Sequence, residues 1–215
     1  LRTANCELRT ANCEPELLPP NTNNRIEYVD IFRAFGIIFM VMGHIGFGKN
    51  FDYFIHAFHM PMFFIISGMF FGVSYKRACS SENSPCTEFI CRKAQTLLLP
   101  YLFFGILHYA LWLVISRRAE DYLSPLLHLI SVNTYGLPIA GALWFLTALF
   151  LTESIYCVLY HYIRSQLMRH IIITLLALSG HAAYYLPFTL PFAASAALVG
   201  LGLYHIGFTF RERFI

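Results

Sequence analysis

Charged side chains are scarce in this chain. Only 13% of its 215 residues are Asp, Glu, Lys or Arg, about half the fraction that a soluble domain carries. A hydrophobic fraction of 57% and a mean hydropathy of +0.57 exclude an ordinary soluble fold. The apolar residues come in long blocks, which predicts an all-α, polytopic membrane helix bundle in contact with the lipid bilayer. A net charge of +3 gives no reason to expect nucleic acid as a partner.

Hydrophobic segments long enough to cross a bilayer occur six times, at about residues 31–48, 54–73, 96–116, 143–160, 170–187 and 190–210. The apolar stretch 122–138 is short and contains Pro125, Gly136 and Pro138, so we expect an interfacial or re-entrant segment there. We therefore predict a membrane domain over 26–215. A disordered polar tail over 1–25 precedes it and begins with two copies of the heptapeptide LRTANCE.

Lysine and arginine are distributed unevenly between the two sides that six spans define. With a cytoplasmic N-terminus, eleven of them lie inside, three lie outside, and Arg33 lies within a span. Because cytoplasmic loops carry an excess of positive charge, this distribution predicts a cytoplasmic N-terminus. We expect the bacterial inner (plasma) membrane as the location.

The cysteines agree with this orientation, because none falls in a predicted external loop. We expect free thiols in a reducing compartment rather than disulfides. The spacing Cys79-x6-Cys86-x4-Cys91 fits no zinc pattern and no histidine joins it. We therefore predict no metal site.

Arg33 and His44 lie inside the first predicted span, in RIEYVDIFRAFGIIFMVMGH. Their separation is close to three helical turns, so both side chains share a face and lie roughly 16 Å apart along the axis. Ionisable groups at that depth cost several kcal/mol unless they face a cavity or a partner. The two residues therefore predict a polar site within the membrane.

Two more histidines stand near the outer start of the second span. His56 and His59 are three residues apart and share a helix face. The short link to the first span makes the two helices antiparallel neighbours, so His44, His56 and His59 can meet. Histidine is the usual general base near neutral pH. Two alternatives are open: interfacial histidines bonded to backbone carbonyls, and a three-histidine zinc site.

Several charged residues are candidates for binding an anionic ligand. Asp30 precedes Arg33 by three residues, so an ion pair between them is expected. Arg33 would contact a phosphate that enters from the cytoplasm, and Arg92 and Lys93 at the start of the third span would add to it. Snorkelling and positive-inside anchoring explain the same residues without a ligand.

The fourth span is marked by Trp144, Phe145 and Glu153. Trp144 is either an anchor in the interfacial aromatic belt or a platform on which a sugar stacks. Glu153 lies within the span and needs a partner there. Pro61, two residues after His59, predicts a kink that either opens a pocket or serves packing.

Four blocks of this sequence resemble the acyltransferase 3 family of integral-membrane O-acyltransferases, and in particular its fucose 4-O-acetylase-like branch. In order they are EYVDIFRAFGIIFMVMGH, FIHAFHMPMFFIISGMFF, KAQTLLLPYLFFG and GALWFLTALFL, which cover most of residues 27–155. Residues 184–213 resemble the family's next two spans. Members usually have more spans than the six predicted here, so we expect a partial membrane domain.

The resemblance implies transfer of an acyl group, usually acetyl from acetyl-CoA, to a carbohydrate or glycan hydroxyl. It places the family's Arg-x10-His element on Arg33 and His44, with His44 as the catalytic histidine, and its FHMP-type block on His59. The family's basic motif falls on residues 92–95, where Gln95 stands in place of the second arginine. Acyl-CoA would then contact Arg33, Arg92 and Lys93, and the acceptor would lie near Trp144, Glu153 and Asp30.

Two other hypotheses use the same residues. In a proton- or anion-coupled transporter, the histidines and Arg33 would form the path, although no inverted repeat or pair of broken helices is evident. A non-catalytic fragment of the acyltransferase is the other alternative.

Overall fold

A computed structural model describes residues 27–45, 48–80, 84–115, 122–131, 141–186 and 190–214. Within these ranges the chain is almost entirely helical and forms no strand. The predicted all-α architecture is therefore confirmed. The predicted polar tail over 1–25 lies outside the described residues.

The described helices follow the predicted segments closely. They are α1 (Glu27–Ile45), α2 (Lys49–Met69), α3 (Phe71–Cys79), α4 (Pro85–Lys93), α5 (Leu99–Ile115), α6 (Leu123–Ser131), α7 (Trp144–Tyr162), α8 (Gln166–Ala183) and α9 (Ala194–Phe214). A π-helical segment, Ala94–Leu98, joins α4 to α5. Short 3-10 turns precede α7 and α9.

Three of the described helices are long and apolar enough to cross a membrane: Pro85–Ile115, Gly141–Tyr162 and Pro191–Arg211. The bent pair Tyr53–Met69 and Phe71–Cys79 makes a fourth if it is one span. The other two predicted spans correspond to α1 and α8, helices of 19 and 18 residues that are not among those passing this test. Helix α6 has only nine residues, as expected for a segment that does not span.

Contacts within the chain define two compact units. The first consists of residues 1–85 and 203–215, and the second of residues 86–202, so α9 supplies residues to both. In the first unit α1 packs on α2, because Gly36 leaves room for the side chains of Met62 and Phe63. An edge-to-face contact between Phe39 and Phe58, with ring centroids 5.1 Å apart, continues the same interface.

A second interface in this unit brings two helix backbones into direct contact. A Cβ atom at Gly68 of α2 would overlap the carbonyl oxygen of Tyr204, and one at Gly207 of α9 would overlap the carbonyl oxygen of Ile65. Small residues permit this close approach between membrane helices. Beside the crossing, Phe71 is fully buried and packs its ring against Tyr204 and Phe208, at centroid distances of 6.2 and 5.6 Å.

The bend in this region lies nine residues after the predicted proline kink. Helix α2 continues through Pro61, and the chain turns by 41° between α2 and α3. Phe70 at that junction has φ −92° and ψ 3°, the sparsely populated bridge conformation that ends an α-helix without a long loop.

Hydrogen bonds between helices stabilise the second unit. The buried Thr152 hydroxyl on α7 lies 2.8 Å from the carbonyl oxygen of Ala197 on α9, and the Tyr101 hydroxyl on α5 donates to the carbonyl of Leu129 at 2.5 Å. The latter bond satisfies a carbonyl in the last turn of the short helix α6. Polar contacts of this kind hold helices together where lipid offers no competing partner.

Candidate active site

Three histidine rings meet in the first unit, as the sequence predicts. The ring centroids of His44 and His56 are 6.2 Å apart, and those of His56 and His59 are 5.2 Å apart. His44 comes from the last turn of α1, whereas His56 and His59 lie one turn apart on α2. We call these three residues the histidine cluster.

Burial differs sharply within the histidine cluster. His44 and His56 are exposed at the surface of the unit, whereas His59 is only 1% exposed. Nδ1 of His59 lies 2.7 Å from the carbonyl oxygen of Ile55. Because a carbonyl can only accept, Nδ1 carries the hydrogen, and Nε2 is the basic nitrogen of the neutral ring.

Gly43 lets the His56 ring approach α1 beside His44. A Cβ atom at position 43 would lie 2.8 Å from Cε1 of His56, closer than such atoms normally come. Gly36, two turns earlier on α1, faces α2 in the same way. The two glycines therefore set the distance between the helices that carry the cluster.

Arg33 lies on α1, eleven residues before His44. Its Nη1 is 3.7 Å from a carboxylate oxygen of Asp30, which forms the expected pair one turn away. The guanidinium also lies over the ring of Phe70, 5.0 Å from the centroid, at a distance typical of a cation–π contact. The Arg33 side chain remains 45% exposed, so it is accessible to an anion.

Arg92 and Lys93, which belong to the second unit, are both engaged in ion pairs. Nε of Arg92 lies 2.7 Å from Glu88 Oε1 on the surface of α4. Nζ of Lys93 lies 2.8 Å from Oε1 of Glu153 on α7. The structure thus pairs Lys93, predicted to bind the acyl donor, with Glu153, predicted to lie near the acceptor.

Glu153 is 1% exposed. Its second carboxylate oxygen, Oε2, accepts no hydrogen bond from any described residue. The π-helical segment Ala94–Leu98 follows Lys93 directly and packs against α7. Such segments are rare and often occur at functional sites, because the extra residue in the turn changes the direction of nearby side chains. Gln95, which stands where the related motif has arginine, is an exposed residue of this segment.

Trp144 begins α7 and is partly buried. Its indole meets the ring of Phe145 at 85°, with centroids 6.3 Å apart. Glu153 is nine residues along the same helix, roughly 13 Å away along the axis.

The acyltransferase domain family matches residues 26–214, nearly the whole chain. The chain belongs to the acyltransferase 3 family. No curated protein and no solved structure matches it significantly. Family membership makes it a membrane acyltransferase.

In this acyltransferase the sequence predicted contacts between site residues that are close along the chain, but not the contact between distant ones. Local spacing revealed the histidine cluster and the Asp30–Arg33 pair. The Lys93–Glu153 pair was missed because its partners are 60 residues apart. The only available signal was that Glu153 needed a partner within its span. His56 received no role of its own, although its ring lies between the other two.

Proposed function

We propose that this acyltransferase moves an acetyl group from acetyl-CoA to a carbohydrate hydroxyl, as in the fucose 4-O-acetylase-like branch, and that the reaction takes place at the histidine cluster. The observation that carries the proposal is the meeting of three imidazoles from α1 and α2 in a chain of this family. Imidazole changes its protonation near neutral pH, which suits it to activate a hydroxyl.

His44 is the proposed general base. It removes the proton from the sugar hydroxyl as the hydroxyl oxygen attacks the thioester carbonyl. The new carbon–oxygen bond forms, the carbon–sulfur bond breaks, and the coenzyme A thiolate leaves and receives the proton from His44. A route through an acyl-histidine intermediate uses the same residue. His59, fixed by its bond to Ile55, is proposed to orient the acceptor through Nε2.

The donor is proposed to enter from the cytoplasm. Arg33 is the proposed phosphate contact in the first unit, and Arg92 is the candidate contact in the second unit. Arg33 is half exposed and Arg92 uses only its Nε in the pair with Glu88, so each has further N–H groups for phosphate oxygens. Lys93 is proposed to act as a donor contact only after it separates from Glu153. We also propose that the protein lies in a bacterial inner membrane with its N-terminus on the cytoplasmic side.

The acceptor is proposed to stack on Trp144. Aromatic faces suit sugar rings, and Trp144 is partly exposed at the start of α7. Glu153 supports the site indirectly, because its carboxylate holds Lys93. Asp30 likewise acts by orienting Arg33.

Membranes that contain the protein should transfer label from acetyl-CoA to an added glycan acceptor. His44→Ala should abolish this transfer, because no base then faces the acceptor hydroxyl, while protein abundance stays unchanged. The measurement is acceptor-bound label per unit of protein. Full activity of the variant would exclude the mechanism, and uptake of label without transfer would favour a transporter.

His108 offers a matched control for the histidine cluster. Its Nδ1 lies 2.7 Å from the carbonyl oxygen of Phe104, the same i−4 bond that His59 makes to Ile55. His59→Ala and His108→Ala therefore remove the same local contact. Only His59→Ala should lower transfer strongly, by roughly the 100-fold or more typical of a lost acid–base or orienting group. Equal losses in both variants would indicate that the bond to the helix, and not the cluster, matters.

A further inference from the structure

Two cysteines from distant parts of the chain touch in the interior of the second unit. Sγ of Cys86 on α4 lies 3.4 Å from Sγ of Cys157 on α7, and the residues are 71 positions apart. Both carry free thiols and both are buried. Cys79, by contrast, takes part in a disulfide, so the expectation of free thiols is wrong for that residue.

We propose that Cys86 and Cys157 form an oxidisable pair that closes to a disulfide and joins α4 to α7. The sulfur atoms are in van der Waals contact, and a disulfide needs them to approach to about 2.05 Å. That approach of a little over 1 Å is within the range of side-chain rotation about χ1. The bond would therefore link two helices that lie far apart in the sequence.

The oxidant is proposed to be a small disulfide such as oxidised glutathione. Cys86 is 8% exposed and Cys157 is fully buried, so the thiolate of Cys86 attacks first. It forms a mixed disulfide and releases one glutathione thiolate. The thiolate of Cys157 then attacks Sγ of Cys86 and releases the second glutathione thiolate. Two cysteine thiols are oxidised, one glutathione disulfide is reduced, and two protons are released.

The bond would form beside the Lys93–Glu153 ion pair. Cys86 and Lys93 both lie on α4, while Glu153 and Cys157 are one turn apart on α7. Oxidation would therefore fix the spacing of the same two helices that the ion pair joins. Lys93 would be held against Glu153, which is the arrangement that keeps its ammonium group away from an anionic ligand. This consequence depends on the proposed function, whereas formation of the bond does not.

Peptide mapping tests formation of the bond directly. Membranes are treated with oxidised glutathione, remaining thiols are blocked with a maleimide, and the chain is cut with trypsin. Cleavage after Arg77, Arg92, Arg118 and Arg164 places the two cysteines in peptides 78–92 and 119–164. Peptide 78–92 also contains Cys79, which is in a disulfide, and Cys91, which the maleimide blocks. The expected product is therefore a species that contains both peptides, with any peptide bound through Cys79, and that separates into its parts on reduction.

Cys91 provides the matched control, because it lies on the same helix as Cys86 but is exposed and free. Cys91→Ser should leave the linked peptides unchanged, whereas Cys86→Ser should remove them. Loss of the product in Cys91→Ser, or its absence from the unmodified protein, would overturn the proposal.

Thermal unfolding gives a second test. A cross-link across 71 positions restricts the unfolded chain. Protein treated with oxidised glutathione should therefore unfold several degrees higher than untreated protein. The increase should persist in Cys91→Ser and be absent in Cys86→Ser. A linked product without any change in unfolding temperature would show that the bond forms in unfolded chains, and would also overturn the proposal.

Discussion

Glu153 shows how a single carboxylate can constrain a membrane protein. It lies within a segment long enough to span the bilayer and is almost fully buried. Its charge is compensated by Lys93 at 2.8 Å. A buried charge of this kind is tolerated only while its partner is present, because the interior and the lipid solvate it poorly.

Removing Lys93 should therefore destabilise the protein strongly. Lys93→Met leaves an unpaired buried carboxylate, and we expect a loss of about 3–5 kcal/mol in the free energy of unfolding. Lys93→Met combined with Glu153→Leu should recover most of that loss. The measurement is denaturant-induced or thermal unfolding in detergent.

The exposed ion pair of α4 is the control for that experiment. The Arg92 side chain is 52% exposed, and exposed pairs contribute about 0–1 kcal/mol. Arg92→Ala should therefore change the free energy of unfolding little. A loss in Lys93→Met no larger than in Arg92→Ala would show that the buried pair contributes no more than a surface contact.

Sequence spacing predicted residue contacts only where partners lie close along the chain. Asp30 and Arg33 are one helical turn apart, and a short link joins the helices of His44 and His59, so both contacts followed from local geometry. Lys93 with Glu153, and Cys86 with Cys157, depend on which face of α4 meets α7. Periodicity does not fix that rotation, because α7 is apolar around most of its circumference.

At the scale of helices, position in the sequence was easier to predict than bending. Pro61 is the residue type that kinks helices, yet α2 passes through it and the chain bends at Phe70 instead. Neighbouring helices can satisfy the carbonyl that a proline leaves free. The close approach of α2 and α9 at Gly68 and Gly207 was not predicted.

The crossing of α2 and α9 should be intolerant of any side chain at its glycines. Gly207→Ala would place a methyl group on the carbonyl oxygen of Ile65, and backbone cannot move as a flexible side chain can. We expect a loss of about 2 kcal/mol or more in the free energy of unfolding, in the upper part of the range for overpacked sites.

Gly141→Ala is the comparison for this substitution, since a Cβ atom at position 141 meets no atom within 4 Å. Unfolding of both variants in detergent should separate a crowded glycine from one in open space. Similar unfolding temperatures for the two variants would refute the backbone contact.

At the scale of the whole molecule, composition predicted the membrane class and six helical segments correctly. It did not predict that contacts would divide these segments into two units, the first built from both ends of the chain. Segments far apart in sequence pair through complementary surface shape, as the ring of Phe71 does with Tyr204. Hydropathy measures how apolar a segment is and does not predict which surfaces are complementary.

Truncation after Gly202 should expose the core of the first unit. Phe71, now 1% exposed, would lose its contacts with Tyr204 and Phe208. We expect trypsin to cut at Lys76 and Arg77 of α3 much faster than in the full chain, because local opening becomes easier.

Truncation after Arg211 retains both aromatic partners and Gly207, and should leave the cleavage rate at α3 near that of the full chain. The rates are compared by gel densitometry over time. Equal protection of α3 in the two truncated chains would mean that α9 does not stabilise it.

The composition of the first unit also determines when it can fold during synthesis. The ribosome makes α1, α2 and α3 early, and it makes residues 203–215 of the same unit only after all of residues 86–202. Until then Gly68 of α2 has no contact with α9, and Phe71 is not covered by Tyr204 and Phe208. Nascent chains stalled before residue 203 should therefore depend on insertion factors or chaperones that shield Gly68 and Phe71, whereas chains that already contain α9 should not.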